Sequence, residues 1–243
     1  MQKVMSNQVS EDNLENLPEI PFKIFSMVLF ALTVGVLFAV VVLPTWLPGL
    51  TRSMVGQDVK VYWYISRGSA IVSYCLLWFS MAFGLIMANK MARLWPGAPT
   101  AYELHQFISL LGLATVIVHA LVLLGDRYMS FNLAQLIIPF FSSDYKPLLM
   151  GLGQIGFYLW VVLIISFYLR RKISTRTWRL IHFASFMTFL FALVHGISIG
   201  TDITTSWMKS IYWISAGSIL FLIVYRILNA FVGMVMKFNQ NNT

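Results

Sequence analysis

Six apolar runs, each about as long as a bilayer core is thick, constrain this chain more than anything else in it. A helix needs about 20 predominantly apolar residues to cross the hydrocarbon core. Stretches of that kind occupy residues 25–47, 68–88, 101–124, 148–169, 178–200 and 210–232. Inside a bilayer every backbone N–H and C=O has to be satisfied by the protein itself, which runs of this length achieve as helices. Charged residues make up 11% of the 243, against about 25% in a soluble domain. The expected fold is therefore all-α, an integral membrane bundle of six transmembrane helices over residues 23–233. A polar cytoplasmic tail, residues 1–22 with Glu11, Asp12, Glu15 and Glu19, is expected before it, and a short cytoplasmic tail, residues 234–243, after it. Residues 1–20 have neither the basic start nor the apolar stretch of a signal peptide, so the first span is expected to be the targeting signal. Pro44 and Pro48 are expected to end that span, Pro96 and Pro99 to punctuate the turn after the second, and Pro147 to precede the fourth.

The net charge of +8 does not point to nucleic acid, because the basic residues sit between the apolar runs, where orientation signals belong. With the N-terminus inside, the inner segments hold Lys3, Lys23, Lys90, Arg93, Arg170, Arg171, Lys172, Arg176, Arg179, Arg226 and Lys237. The outer ones hold Arg52, Lys60, Arg67, Arg127, Lys146 and Lys209. This bias places both termini in the cytoplasm. The cluster at 170–179 reads first as an orientation signal and second as a docking surface for an acidic redox partner. The outer segments are the longer ones. Residues 48–67 carry Tyr62, Trp63 and Tyr64, suited to an interfacial belt. The apolar but short segment 125–147 is expected to lie along the outer interface or fold back over the bundle. The single cysteine, Cys75, excludes an intrachain disulfide and a cysteine-ligated iron–sulfur or zinc centre, and reads as a small packing residue.

All four histidines fall inside spans. Ionisable side chains there are costly, and each is by default a functional hypothesis. His105 and His119 lie on the third span, about 21 Å apart along a helix and within about 40° of one face. His182 and His195 lie on the fifth. Odd-numbered spans run in the same direction, so His105 and His182 share the inner depth and His119 and His195 the outer one. Matched pairs at two depths point to bis-histidine ligation of two stacked haems. A proton relay is the remaining alternative, and one zinc or copper ion fits poorly because the pairs are too far apart vertically. Gly112, midway between His105 and His119, would let a flat macrocycle approach the backbone or serve helix packing. The spacing of His182 and His195 turns them about 140° apart on an ideal helix. Either the fifth helix is wound differently or the two haem planes are laterally offset. Gly151–Gly156 matches G-x-G-x-x-G, but an apolar helix continues it and basic residues stand where a ribose-binding acid would be needed, so close helix packing is the better reading.

At this point the chain resembles the ferric reductase-like transmembrane domain, a superfamily that includes NADPH oxidases, ferric reductases and the haem-binding subunit of a bacterial methionine sulfoxide reductase. The resemblance covers roughly residues 62–232. It rests on the two histidine spacings, on Tyr102-Glu103-Leu104-His105, on Trp178 to His182 and on Val194-His195-Gly196. It implies two non-covalent b-type haems, the inner one held by His105 with His182 and the outer one by His119 with His195. Arg67 resembles an arginine near the outer haem, suited to a propionate or to the interface; Arg179, one turn before His182, would do the same for the inner haem. Electrons would pass to an acceptor or partner protein at the outer face of a bacterial inner membrane. The chain ends eleven residues after the sixth span, so no flavin or nucleotide domain is expected in it, and the donor would be a separate flavoprotein or a quinol. Whether the chain is itself an enzyme or an oxidoreductase's electron-transfer component stays open. Two other readings stand beside this one. A quinol-oxidising cytochrome b subunit would usually space both pairs 14 or more apart and carry a Pro-Glu-Trp-Tyr motif, neither of which is present. A non-redox transporter or assembly subunit would be colourless.

Overall fold

The structure, a computed structural model, describes residues 19–48, 61–126, 131–141 and 146–241. Of the features expected above, residues 1–18 of the polar tail and Arg52, Lys60 and Arg127 lie outside the described residues. The described residues are all-helical, with no strand among them, and six helices are long and apolar enough to cross a membrane. They are α1 (Phe22–Trp46), α2 (Val61–Ala88), α3 (Ala98–Val122), α4 (Pro147–Leu169), α5 (Thr175–Ile199) and α6 (Ser206–Asn241). Each expected run corresponds to one helix. The differences are at the ends. α1 continues past Pro44 to Trp46 by passing through a π-helical turn, Phe38–Val42, a way of absorbing a break in the i→i−4 ladder. Tyr62, Trp63 and Tyr64 belong to the first turn of α2 rather than to a loop, and Arg67 sits in its second turn rather than at its start. In the stretch 234–241 the chain continues as helix without a break from α6.

Proline and glycine mark the helix starts as their chemistry requires. Pro99 and Pro147 occupy first-turn positions of α3 and α4, where a missing N–H costs nothing. Ser174 caps α5 by accepting from the Thr177 N–H.

Two helix pairs form the frame. α2 packs along α3 and α4 along α5. Both pairs are antiparallel, since Ser66 meets His119 and Ser80 meets His105, while Leu149 meets His195 and Gly156 lies against Phe191. α2 is the most enclosed helix and α1 the least. A polar seam holds α6 parallel to α2: Tyr74 to Ser215 (2.5 Å), the Trp78 indole N–H to Ser218 (2.8 Å) and Asn89 to the Leu222 carbonyl (3.1 Å). At the end of the bundle where α2 also ends, Glu19 pairs with Arg170, and the Tyr168 hydroxyl donates to the Ile20 carbonyl (3.1 Å), fastening the entry of α1 to the end of α4. α3 and α5 run parallel, as expected, but are not among the closely packed helix pairs. The space between them is where the histidines meet.

The segment after α3 folds back. Its described part forms a short helix, Leu133–Ile137, with Asn132 and Gln135 in a reciprocal capping box. Gln154 of α4 donates to the carbonyls of Gln135 and Leu136 (2.7 and 2.8 Å), and Phe140 packs on Gly151.

Gly112 is fully enclosed, and a Cβ there would meet the Trp160 indole at 2.6 Å. Gly217, on the outer side of α6, has open space. Gly112→Ala is expected to destabilise the detergent-solubilised protein by about 1–3 kcal/mol through overpacking. Gly217→Ala is expected to be neutral or to stabilise it by up to about 1 kcal/mol through lost chain entropy. Thermal unfolding of the two variants side by side checks the opposite signs.

Candidate functional site

His105 and His119 stand on α3 facing α2, and their rings are held in the same way. Nδ1 of His105 lies 2.8 Å from the Ser80 carbonyl oxygen, and Nδ1 of His119 lies 2.9 Å from that of Ser66. A carbonyl only accepts, so in each ring Nδ1 carries the proton and Nε2 keeps its lone pair. Fourteen residues separate the two histidines and fourteen separate the residues of the two accepting carbonyls, so one antiparallel register serves both. Serines on the same face of α2 fix that register. Ser73 donates to Thr115 (2.9 Å), and the Ser80 hydroxyl lies 2.6 Å from that of Ser109.

On α5 the anchors differ. Nδ1 of His195 donates to the Leu149 carbonyl of α4 (2.9 Å), and the ring lies directly over Gly153, where a Cβ would collide with it. His182 stacks on Trp178, with ring centroids 5.2 Å apart and planes 27° apart. α5 stays a continuous α-helix between His182 and His195, so it is not differently wound. The two rings are accommodated at different lateral positions, His182 toward α3 and His195 along α4.

One pair of rings faces each other, and the other pair borders a common cavity. The centroids of His105 and His182 are 6.2 Å apart. His119 and His195 line one cavity of about 820 Å³, within the roughly 300–1,000 Å³ of pockets that hold small molecules and cofactors. Trp63, Arg67, Phe131, Asp202 and Tyr212 are also on its wall, and Trp160 and Leu77 are deeper in. All four rings are only half-buried, leaving edges open to the spaces they border.

Three further expected residues have definite places. Arg67 makes an ion pair with Asp202 and lies with its Cζ 4.3 Å from the centre of the Trp63 ring. Its carboxylate partner here is a protein side chain. Arg179 is exposed near the start of α5, a turn before His182. Gly112 receives Trp160, so its role here is helix packing. Glycines 151, 153 and 156 of the G-x-G-x-x-G stretch pack against Phe140, His195 and Phe191.

Several observations fit a haem between each pair. Two imidazoles holding one iron from opposite sides, with metal–nitrogen distances of about 2 Å, place their centroids about 6 Å apart. The tethered Nδ1 atoms are the arrangement that orients a ligating histidine and raises its basicity. Gly84, 3.4 Å from the His105 ring when given a Cβ, and Gly153 are cradles for those rings. Near the inner pair, Trp178 Nε1 and Gln106 Nε2 are buried without a hydrogen-bond partner among the described residues, a state that costs about 1–3 kcal/mol per group and invites an acceptor. No group of three or more His, Cys, Asp or Glu gathers among the described residues; a haem iron asks for only two. Ser66, Ser80, Leu149, Gly84 and Asp202 were not identified from sequence; Gly153 was read only as helix packing and Trp178 only as part of the resemblance. One signal was available for the serines: Ser66, Ser73 and Ser80 repeat at seven-residue intervals, as do His105, Gly112 and His119.

Residues 61–202 match the family described as Domain of unknown function (DUF8596), so the chain belongs to that family. No curated protein and no solved structure matches it. The matched stretch begins with α2 and ends at Asp202, and so contains all four histidines and both halves of the Arg67 ion pair.

Gly153→Ala is expected to cost about 1–3 kcal/mol of stability because the new methyl displaces the His195 ring. In a His195→Ala background the same change should cost little. Thermal unfolding of the double-mutant cycle reads this coupling. An unchanged cost in the second background would mean that the ring is not what Gly153 accommodates.

Proposed function

We propose that this protein carries electrons across a membrane by way of two b-type haems, the inner held by His105 and His182 and the outer by His119 and His195. The observation that carries the reading is the shared tethering of His105, His119 and His195 through Nδ1 to backbone carbonyls. It leaves the Nε2 lone pair available for coordination on rings that stand at two depths. A haem held by these imidazoles would supply one-electron transfer chemistry.

The chain's own residues then have separable roles. The Ser66, Ser80 and Leu149 carbonyls orient the rings. Gly84 and Gly153 give them room. Leu77, Ile71, Val116 and Phe157 give the cavity at the outer pair apolar walls. Six apolar helices and the excess of Lys and Arg on the inner segments support an integral membrane protein with both termini in the cytoplasm; the bacterial inner membrane is what the resemblance implies. The donor is a separate flavoprotein or a quinol at the inner side, and the acceptor or partner protein meets the outer side. The protein is the electron-transfer component of an oxidoreductase of the ferric reductase-like class.

The purified chain is expected to show a b-type reduced-minus-oxidised absorbance spectrum and about two haems per polypeptide. His119→Ala with His195→Ala should remove one haem and leave the other, and His105→Ala with His182→Ala should do the reverse. A colourless wild-type protein, or a haem content unchanged by these substitutions, overturns the assignment. For the orientation, a reporter that works only in the cytoplasm should be active when fused after Thr243. Activity instead from a reporter that works only outside would reverse the topology.

A further inference from the structure

The Arg67–Asp202 pair crosses the outer end of the cavity. It joins α2 to the turn Thr201–Thr204 that follows α5. Each half is attached to the support of an outer histidine. Arg67 follows Ser66, whose carbonyl holds His119, and Asp202 lies seven residues beyond His195 on the same chain segment. Arg67 is restrained from two sides. Its Nε–H donates to Asp202 Oδ2 at 2.8 Å and a terminal N–H donates to Oδ1, while the Trp63 ring lies against the guanidinium. Among the described residues that line the cavity, Arg67 is the one lysine or arginine. Both side chains are largely enclosed, at 30% and 14% exposure, so their charges are less screened by solvent than those of a surface pair.

We propose that this ion pair sets the reduction potential of the outer haem site, with Asp202 as the residue that positions Arg67 and balances its charge. The inference rests on the haem reading above. A haem iron loses one unit of positive charge on reduction, so a positive charge nearby favours the reduced form and a negative charge the oxidised form. With the pair intact the two effects offset each other. Removing the Asp202 carboxylate leaves Arg67 without its direct partner, Asp126 being the other carboxylate on the cavity wall, and removing the guanidinium leaves Asp202 as an anion. The two deletions therefore act with opposite signs. The inner histidines are about 20 Å further along the bundle, so only one of the two midpoints should respond.

The test is a spectroscopic redox titration of the purified full chain and of Asp202→Asn, Arg67→Gln and the double variant, with haem quantified in each. Asp202→Asn is expected to move one midpoint to a more positive potential, and Arg67→Gln to move the same midpoint to a more negative one. The double variant should return close to the wild-type value, and Arg67→Lys, which keeps the charge pair, should shift least. Two haems with both midpoints unmoved, both midpoints moving together, or one direction of shift in both single variants overturns the proposal. Loss of the outer haem from both single variants makes the pair a structural fastener and overturns it too. A wild-type chain that binds no haem is a separate outcome, and it overturns the reading in the preceding subsection.

Discussion

Everything at the two histidine levels depends on the register between α2 and α3. A histidine ring in apolar surroundings must place both nitrogens, and an unpaired buried N–H is expensive. Here the N–H of each α3 ring goes to a carbonyl on α2, from Ser80 at one level and Ser66 at the other. Those carbonyls already belong to the helix, and each uses a remaining lone pair. The device adds no side chain to the span and makes both rings depend on a single degree of freedom, the sliding of one helix along the other. Ser73 with Thr115 and Ser80 with Ser109 oppose that sliding. Small hydroxyl side chains suit this work, because they let backbones approach closely while bonding across the interface.

The second pair of helices solves the same problem with different means. α5 presents its histidines thirteen residues apart, which on a regular helix cannot be one face. It remains regular, and the burden falls on its neighbours. α4 offers a carbonyl and a glycine to His195, and Trp178, one turn earlier on α5 itself, offers its ring to His182. The looseness between α3 and α5 follows from this. The histidine rings and the outer cavity stand between α3 and α5, and the frame is carried by α2 with α3 and by α4 with α5.

The fold was legible from the sequence because hydrophobicity over twenty residues is a strong signal that needs no tertiary information. The six helices fall where the apolar runs are, and the parallel course of α3 and α5 follows from counting them. The ends were less legible. Tyr62, Trp63 and Tyr64 look like interface residues whether they lie on a loop or a helix, and hydropathy cannot tell the two apart. The histidines stood out because charge-bearing side chains are rare in spans. Their anchors did not, since a backbone carbonyl leaves no trace in a sequence, and the partners are 53 and 25 residues away. Asp202 was missed for a related reason. It lies 135 residues from Arg67, and an acidic residue after a helix reads as an ordinary loop residue. Gly153 was assigned to packing, which is where it is found, but the thing it packs against is a histidine ring.

The stretch that defines the family has a physical meaning in this arrangement. Residues 61–202 begin where α2 begins and stop at the carboxylate that holds Arg67. Within those limits lie the three carbonyls that orient the rings, the glycines beneath His105 and His195, the serines that lock the α2–α3 register and both ends of the ion pair. α1 and α6 lie outside. α1 touches the bundle through α3 and the Glu19–Arg170 pair, and α6 through its seam with α2. Neither contributes a ring or a ring's anchor. Their chief contribution to the histidine levels is enclosure, with Tyr212 and Met208 of α6 closing one side of the outer cavity. Enclosure asks only for apolar bulk of about the right shape, whereas the hydrogen bonds to the rings tolerate shifts of only a few tenths of an ångström. A unit bounded by α2 and Asp202 is therefore the smallest piece of this chain in which all the geometrically demanding contacts are complete.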